Sequence, residues 1–488
     1  MNFRLLGFDG LLNRGVNDFL MQDNELYEVK NCYSDRIGRL IKTPGYSLSV
    51  NGQVVDNKSV NFLHNYYNPA TSTSYLLGGS DSGSDYILKY RTDGAWSSTL
   101  GTYTSAAGAE LSAANYLGKT FIVGHDNGTF LAPATLKGIT YTTSTVDDPD
   151  LTNMPKGKFI VRYRDLLYVL NTYVGSDPFP NRVYWSPEPI GLKIPSPYWN
   201  TTTDFIDVGY DDGEYITGGA EAFDRLVIFK NNSIWAYDES ELKKLDDVGC
   251  DSYRSIAKIN GVLYWFNRRG FWRWTGNLPE LISAKAQDII EAITPSTLSS
   301  VVASVFNGFE YRAFIGTVTV EGVTYTNAWF CWDTRKEKCY IRCTYDTAKS
   351  ACEYIEDNKK RMYFGNDDGY VMKFAEKIDN TYSDNGQPID SFFTTKLIDN
   401  DVPELSKQTI KMTVFSENPQ GLKVYVSDNI GNFKGESYQA VERNIDPIST
   451  LINGNRYRLK FAENSINKSW IFNGVTIDTE LYETEQNG

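Results

Sequence analysis

Asn-Gly, Asp-Gly and other glycine-containing turn pairs recur at short intervals along the chain, at Asn51-Gly52, Asp93-Gly94, Asn127-Gly128, Asp212-Gly213, Asn260-Gly261, Asn307-Gly308 and Asp368-Gly369. Each supplies the positive φ angles that a tight hairpin requires, so the stretches between them are short strands. Those stretches alternate and are rich in β-branched and aromatic residues, as in Leu226-Val227-Ile228-Phe229, Ser233-Ile234-Trp235-Ala236-Tyr237 and Val262-Leu263-Tyr264-Trp265-Phe266. With 14% aromatic residues, the composition is that of strands rather than helices.

Read in hairpin pairs, similar units begin near Asn61, Glu110, Lys158, Tyr215, Tyr253, Val301 and Ala351. Their spacing of about 40 to 50 residues is the period of four-stranded propeller blades. The expected fold is therefore all-β, a β-propeller of about seven blades. One helix is expected, Ser283–Ala292, where Ala286, Ile289, Ile290 and Ile293 fall at helical spacing before Pro295.

The pattern changes after Asp379. Asn380–Pro388 reads as a linker, and Phe392–Leu397, Thr409–Phe415, Leu422–Val426 and Arg456–Phe461 alternate as in a sandwich. The expected division is an extended N-terminal clamp over 1–58, the propeller over 59–379, a small β-sandwich-like domain over 380–482 and a disordered tail over 483–488. The N-terminal segment is expected either to wrap a neighbouring subunit or to close a blade.

The 488 residues, 41% hydrophobic and 22% charged, suit a globular chain with a sizeable core. No stretch approaches the roughly 20 apolar residues of a spanning helix. Gly10, Asn13 and Gly15 interrupt the start before a signal-peptide core could form, which predicts synthesis in the cytoplasm. A net charge of −13 argues against a surface that grips phosphates. It fits a wall past which DNA slides, and equally a surface kept soluble by its charge.

Reacting groups are sparse. The only histidines are His64 and His125, too few for a multi-histidine metal site. Among the six cysteines, Cys331, Cys339, Cys343 and Cys352 cluster, but the gaps of seven, three and eight residues do not match zinc knuckles. With Cys32 and Cys250 they are expected as buried thiols on strands. The acids of Asp147-Asp148-Pro149-Asp150, Asp211-Asp212-Gly213-Glu214 and Asn366-Asp367-Asp368-Gly369 sit in turn contexts, where Asp bonds the local backbone. Thr92-Asp93-Gly94-Ala95-Trp96 misses the sialidase Asp-box because Asp and Gly are adjacent. Arg268-Arg269 beside Trp272 and Trp274 reads as a charged hairpin turn, with a base-stacking site as the alternative. No catalytic, cofactor-binding or metal-binding residue is nominated, no cofactor is expected, and the chain is expected not to be an enzyme.

Three N-terminal segments carry a resemblance: Gly10-Leu11-Leu12-Asn13, Asp23–Tyr33, and Gly38-Arg39-Leu40-Ile41-Lys42-Thr43-Pro44-Gly45-Tyr46. In this order they resemble the opening of the β-propeller tail and neck proteins of tailed bacteriophages, of the nozzle, stopper or tail-tubular-protein-B kind. Thr43 departs from that pattern, standing where the family often has arginine. The likeness continues through Phe223–Phe229, Asn260–Trp265, Pro279–Ser283, Tyr363–Gly369 and Thr394-Thr395-Lys396. It implies a virion protein in a homo-oligomeric ring, usually six-fold, contacting portal or adaptor proteins and tail fibres and passing DNA without reading its sequence. Two other functions compete: a propeller adhesin or lectin that grips a host glycan, and a glycoside hydrolase using two inward-facing acids.

Overall fold

The computed structural model describes residues 2–17, 20–92, 94–195, 198–400, 402–419, 421–428 and 438–482. Asp93 of the second turn pair and the tail 483–488 lie outside the described residues. Strands hold 54% of the chain against 5% for helices, and the sheets are arranged as a β-propeller. The expected helix is a short 3₁₀ turn, Ala284–Ala286, running into a single α-turn, Gln287–Glu291.

Blade 1 is Val60–Asn68, Thr73–Asp81, Tyr86–Tyr90 and Gly101–Tyr103. Blade 2 is Ala109–Tyr116, Lys119–Asp126, Ala134–Lys137 and Thr140–Thr142. Blade 3 is Lys156–Tyr163, Leu166–Val174, Asp177–Trp185 and Phe205–Asp207. Blade 4 is Ile216–Ala222, Arg225–Lys230, Ile234–Tyr237 and Leu242–Asp246. Blade 5 is Ala257–Ile259, Val262–Asn267, Gly270–Trp274 and Glu280–Leu281.

The next four strands, Val302–Phe306, Glu310–Val320, Val323–Asp333 and Lys338–Cys343, form the same meander but do not stand alone. Their last strand continues into a ten-stranded sheet through Glu25–Lys30, Ser391–Thr395, Tyr457–Glu463, Lys423–Asp428 and Gln439–Ala440. The final blade is Ser350–Glu356, Lys359–Gly365 and Val371–Phe374, completed by Tyr46–Leu48 from the N-terminal segment. Six blades are thus discrete sheets, and the expectation of about seven is met only by counting the fused meander. The units follow one another around a circle, mostly first strand to first strand, with Ile216–Ala222 of blade 4 meeting blade 5 at Val262–Asn267, and Ser350–Glu356 packs on Val60–Asn68 to close it. At that seam the Ser350 hydroxyl donates to the Val60 carbonyl at 2.5 Å.

The second strand of each blade is apolar on both faces because blades stack face to face. Leu226, Val227, Ile228 and Phe229 are all buried, as are Leu263, Tyr264, Trp265 and Phe266. The core is therefore layered: one apolar cluster fills the space between blades 1 and 2, another 2 and 3, then 3 and 4, then 4 and 5, and one joins the last blade to the first. The largest cluster runs from blade 5 through the fused meander and last blade into the C-terminal sheets.

The C-terminal body is built from both ends of the chain. Its second sheet has the order Cys32–Ser34, Leu40–Lys42, Ile471–Tyr482, Ser406–Glu417, Ile445–Gly454, with Asn2–Leu6 also paired to Ile471–Tyr482. The segment 1–58 is accordingly shared out. Its first five strands join the C-terminal sheets, and its sixth closes the last blade.

Candidate functional site

Residues 39–46 sit where the three parts of the molecule meet. Lys42 is fully buried and its ammonium pairs with the buried Glu463 carboxylate. Burial pulls the Lys42 pKa down, and the Glu463 partner opposes that shift. Thr43 donates through Oγ1 to the Asn31 carbonyl at 3.1 Å. Asn31 in turn receives the Arg342 guanidinium at 2.9 Å and the Cys343 amide at 2.6 Å through its Oδ1, tying this loop to the fused meander. Arg342 also pairs with the buried Asp384. At Gly45 a Cβ would overlap the Ser383 backbone, so only glycine fits that approach. The Tyr46 phenol donates to Asp346 Oδ2 at 2.7 Å. Charges this deeply buried are tolerated only when paired and hydrogen-bonded, so this network fixes one relative placement of propeller and sandwich.

The propeller axis is occupied by side chains. The 3₁₀ turn Tyr253–Ser255, just before blade 5, reaches across the centre. Tyr253 donates to the Leu111 carbonyl of blade 2 at 3.1 Å, and its ring lies 5.0 Å from that of Phe159 on blade 3. Burial pushes its phenol up to about 12. Arg254 lies 3.8 Å from Glu110 and donates to the Lys349 carbonyl at 3.4 Å. Gly218 of blade 4 leaves room for this turn, since a Cβ there would meet Ile256 and Tyr253.

Several of the acids singled out in the sequence are engaged, by lysines distant in sequence as well as by turn amides. Asp148 accepts Lys119 at 2.6 Å and the Thr135 hydroxyl at 2.7 Å, while Asp150 takes the same Lys119 at 2.6 Å. Asp212 bonds Lys230 at 2.5 Å and the Glu214 amide at 2.9 Å, and Glu214 accepts the Ser233 hydroxyl at 2.5 Å. Asn366 accepts the amides of Asp368 and Tyr370 at 3.1 and 2.8 Å, and Gly369 beyond it has φ +90°, the conformation its turn needs. Arg268 pairs with Asp251 at 3.0 Å, whereas the Trp272 and Trp274 indoles donate to Asn267 at 2.9 Å and to the Asn277 carbonyl at 2.6 Å.

His64 bonds Asn115 at 3.1 Å, and burial lowers its pKa to about 4. Burial and the nearby Lys158 lower that of His125. Cys32, Cys250, Cys331, Cys339 and Cys343 are buried free thiols, and Cys352 is partly buried. Burial raises all six pKa values, those of Cys250, Cys339 and Cys343 to about 12, which leaves them unreactive. Among the described residues no group of three or more His, Cys, Asp or Glu is arranged to hold a metal ion.

Sequence reasoning did not single out a groove of about 850 Å³ formed by blades 2 and 3 and by the connection leading to blade 4. Phe130, Phe179, Tyr210 and Tyr215 line it together with Arg182 and Asp207. Arg182 is stacked between Phe179 and Phe205, 4.2 and 3.8 Å from their ring centres, and forks onto Asp207 at 2.7 and 2.8 Å.

No family pattern and no curated protein matches the chain. Among solved structures it is similar to the extracellular domain of a protein described as a hybrid two component system, BT4673 of B. thetaiotaomicron. That likeness has a TM-score of 0.42 and 10% identity, and it covers 67% of this chain and 39% of the other.

Proposed function

We propose that the chain is a non-catalytic structural subunit of a ring in the tail or neck of a tailed-phage particle, extending the channel through which DNA leaves. The observation that carries this reading is the position of the Gly38–Tyr46 segment, one of those that resemble the phage proteins. Its residues join the propeller, the fused meander and the sandwich, Lys42 through a fully buried pair with Glu463 and Tyr46 through a part-buried hydrogen bond to Asp346. A subunit joined in this way transmits load as one body, which is what a wall around pressurised DNA has to do.

The blocked axis adds a constraint. With Tyr253 and Arg254 across its centre, the propeller offers no conduit of its own, so DNA passes through a lumen enclosed by several subunits. A net charge of −13 keeps such a wall from holding the phosphate backbone. Ring closure demands heterologous contacts, one face of a subunit meeting a different face of the next.

The test is the mass of the purified full-length protein together with its presence in purified virions. A closed oligomer of defined number, or incorporation into particles, is expected. A protein that stays monomeric at high concentration and is missing from virions would refute the reading.

A further inference from the structure

The groove between blades 2 and 3 and the connection to blade 4 carries features that ring assembly and blade stacking leave unexplained. Tyr210 and Tyr215 lie in the connection between blades 3 and 4 and line the groove with 82% and 50% of their surface exposed. Most other tyrosines of the propeller are built into the layers between blades, as Tyr66, Tyr163 and Tyr168 are, all with 1% exposure or less. Leaving two large rings in water at the mouth of a concavity forgoes the burial that drives folding, and exposed rings beside a pocket mark a ligand site.

The polar groups narrow the ligand. Arg182 is held on both faces by Phe179 and Phe205 and is neutralised by Asp207, so it presents a fixed planar edge rather than a free charge. Asp211 and Glu214 outnumber the remaining cation, Lys158, along the lining. An anion is therefore repelled. Asn181, also in the lining, has a side-chain oxygen screened from solvent that accepts no hydrogen bond among the described residues, while its backbone carbonyl accepts the Val208 amide at 2.8 Å. Flat apolar rings next to carboxylates and an amide match a molecule with apolar C–H faces and many hydroxyls. At about 850 Å³ the groove is within the usual range for small-molecule sites.

We propose that this groove binds a neutral oligosaccharide, with Tyr210 and Tyr215 stacking on sugar rings and Asp211 and Glu214 taking hydroxyl groups. A surface that carries the wall of a channel on one side would then hold cell-surface or capsule sugar on another. The inference does not depend on the ring: a monomer that binds sugar would leave it standing, and a ring that binds none would remove it alone.

The full-length protein, Tyr210→Ala, Tyr215→Ala and the control Tyr345→Ala, whose ring is 64% exposed away from the groove, would be applied to an array of neutral and acidic bacterial oligosaccharides and a single-stranded oligonucleotide. The expected result is binding to neutral sugars, weakened about tenfold or more by either groove variant and unchanged by the control. Folding of both groove variants is checked by their thermal transitions, which should match the parent because the rings are exposed. Binding to no array member, binding to acidic sugars or the oligonucleotide alone, or sugar binding untouched by Tyr210→Ala and Tyr215→Ala would each overturn the proposal.

Discussion

Blades 1 to 5 and the remainder of the molecule solve the same packing problem in opposite ways. Each of the first five blades is folded from one contiguous stretch and buries its faces against the blades on either side, in apolar layers that repeat from blade to blade. The last blade, the fused meander and the sandwich instead borrow strands from the far end of the chain. Asn2–Leu6 pairs with Gly474–Asp478, Glu25–Lys30 lies between Lys338–Cys343 and Ser391–Thr395, and Tyr46–Leu48 finishes the last blade. The first region is stabilised by repetition, the second by cross-connection. Long-range pairing is costly in loop entropy and slow to form, so the second region should be the one that fails as a unit.

Truncation separates the two most sharply. Removing residues 1–45 deletes five strands of the C-terminal sheets and leaves Tyr46–Leu48 in place. Limited proteolysis should then cut within 380–482 while blades 1 to 5 stay protected, and removal of 1–58 should expose the last blade as well. Equal proteolysis throughout would erase the distinction.

A single buried pair probes the same cross-connection. Lys42→Met leaves the Glu463 carboxylate buried without its cation, and denaturant unfolding should show a loss of about 3–5 kcal/mol. The double change Lys42→Met with Glu463→Leu should recover most of that loss, because an apolar pair removes the stranded charge.

The third effect, acid titration, tests blade 1 and its seam. His64 is kept neutral in the folded chain, with its pKa lowered by burial from 6.5 to about 4. The unfolded chain binds the proton first, so stability is complete above pH 6.5, falls as pH drops toward 4 and levels below it. The full loss is of order 3 kcal/mol, and His64→Gln should flatten that part of the curve. Glu356 acts at lower pH: burial opposes its charge, but Arg91 and Lys373 prevail and hold its pKa at about 2, against 4.5 ordinarily. Its contribution is present above 4.5 and is lost as pH falls to 2. Arg91 belongs to blade 1 and Glu356 to the last blade, so this step reports on ring closure.

The smallest effect belongs to an exposed pair on the sandwich. Lys411 meets Glu480 at 3.0 Å with 62% and 49% of the side chains exposed. Lys411→Ala should change stability by no more than about 0.5 kcal/mol, as read by the same denaturant titration.

The same contrast explains what was legible in the sequence. The units read near Asn61, Glu110, Lys158, Tyr215, Tyr253, Val301 and Ala351 lie within a few residues of first strands that begin at Val60, Ala109, Lys156, Ile216, Ala257, Val302 and Ser350. Turn pairs and strands buried on both faces are local signals. Cross-connection leaves none: Leu11–Leu12 and Cys32–Ser34 are too short to show alternation, and their partners lie elsewhere in the chain. Three sandwich strands also carry no legible signal: Gln439–Ala440 is too short to show alternation. Ile445–Gly454 contains Pro447, and Ile471–Tyr482 contains Asn473-Gly474, which reads as a turn but sits beside a bulge where the register against Phe415 and Ser416 shifts. At the candidate groove, Tyr210 and Tyr215 look like any other strand-edge aromatics in sequence. The signal that could have marked them is their position flanking Asp211-Asp212-Gly213-Glu214, a turn too polar for rings meant for the core.

Imaging an assembled particle at side-chain detail decides whether this chain forms a ring around DNA. The chain is expected to repeat around a closed ring, with Tyr253 and Arg254 filling each propeller axis and DNA running through the lumen between subunits. A particle lacking the chain, or one in which a single propeller surrounds the DNA on its own axis, would contradict it.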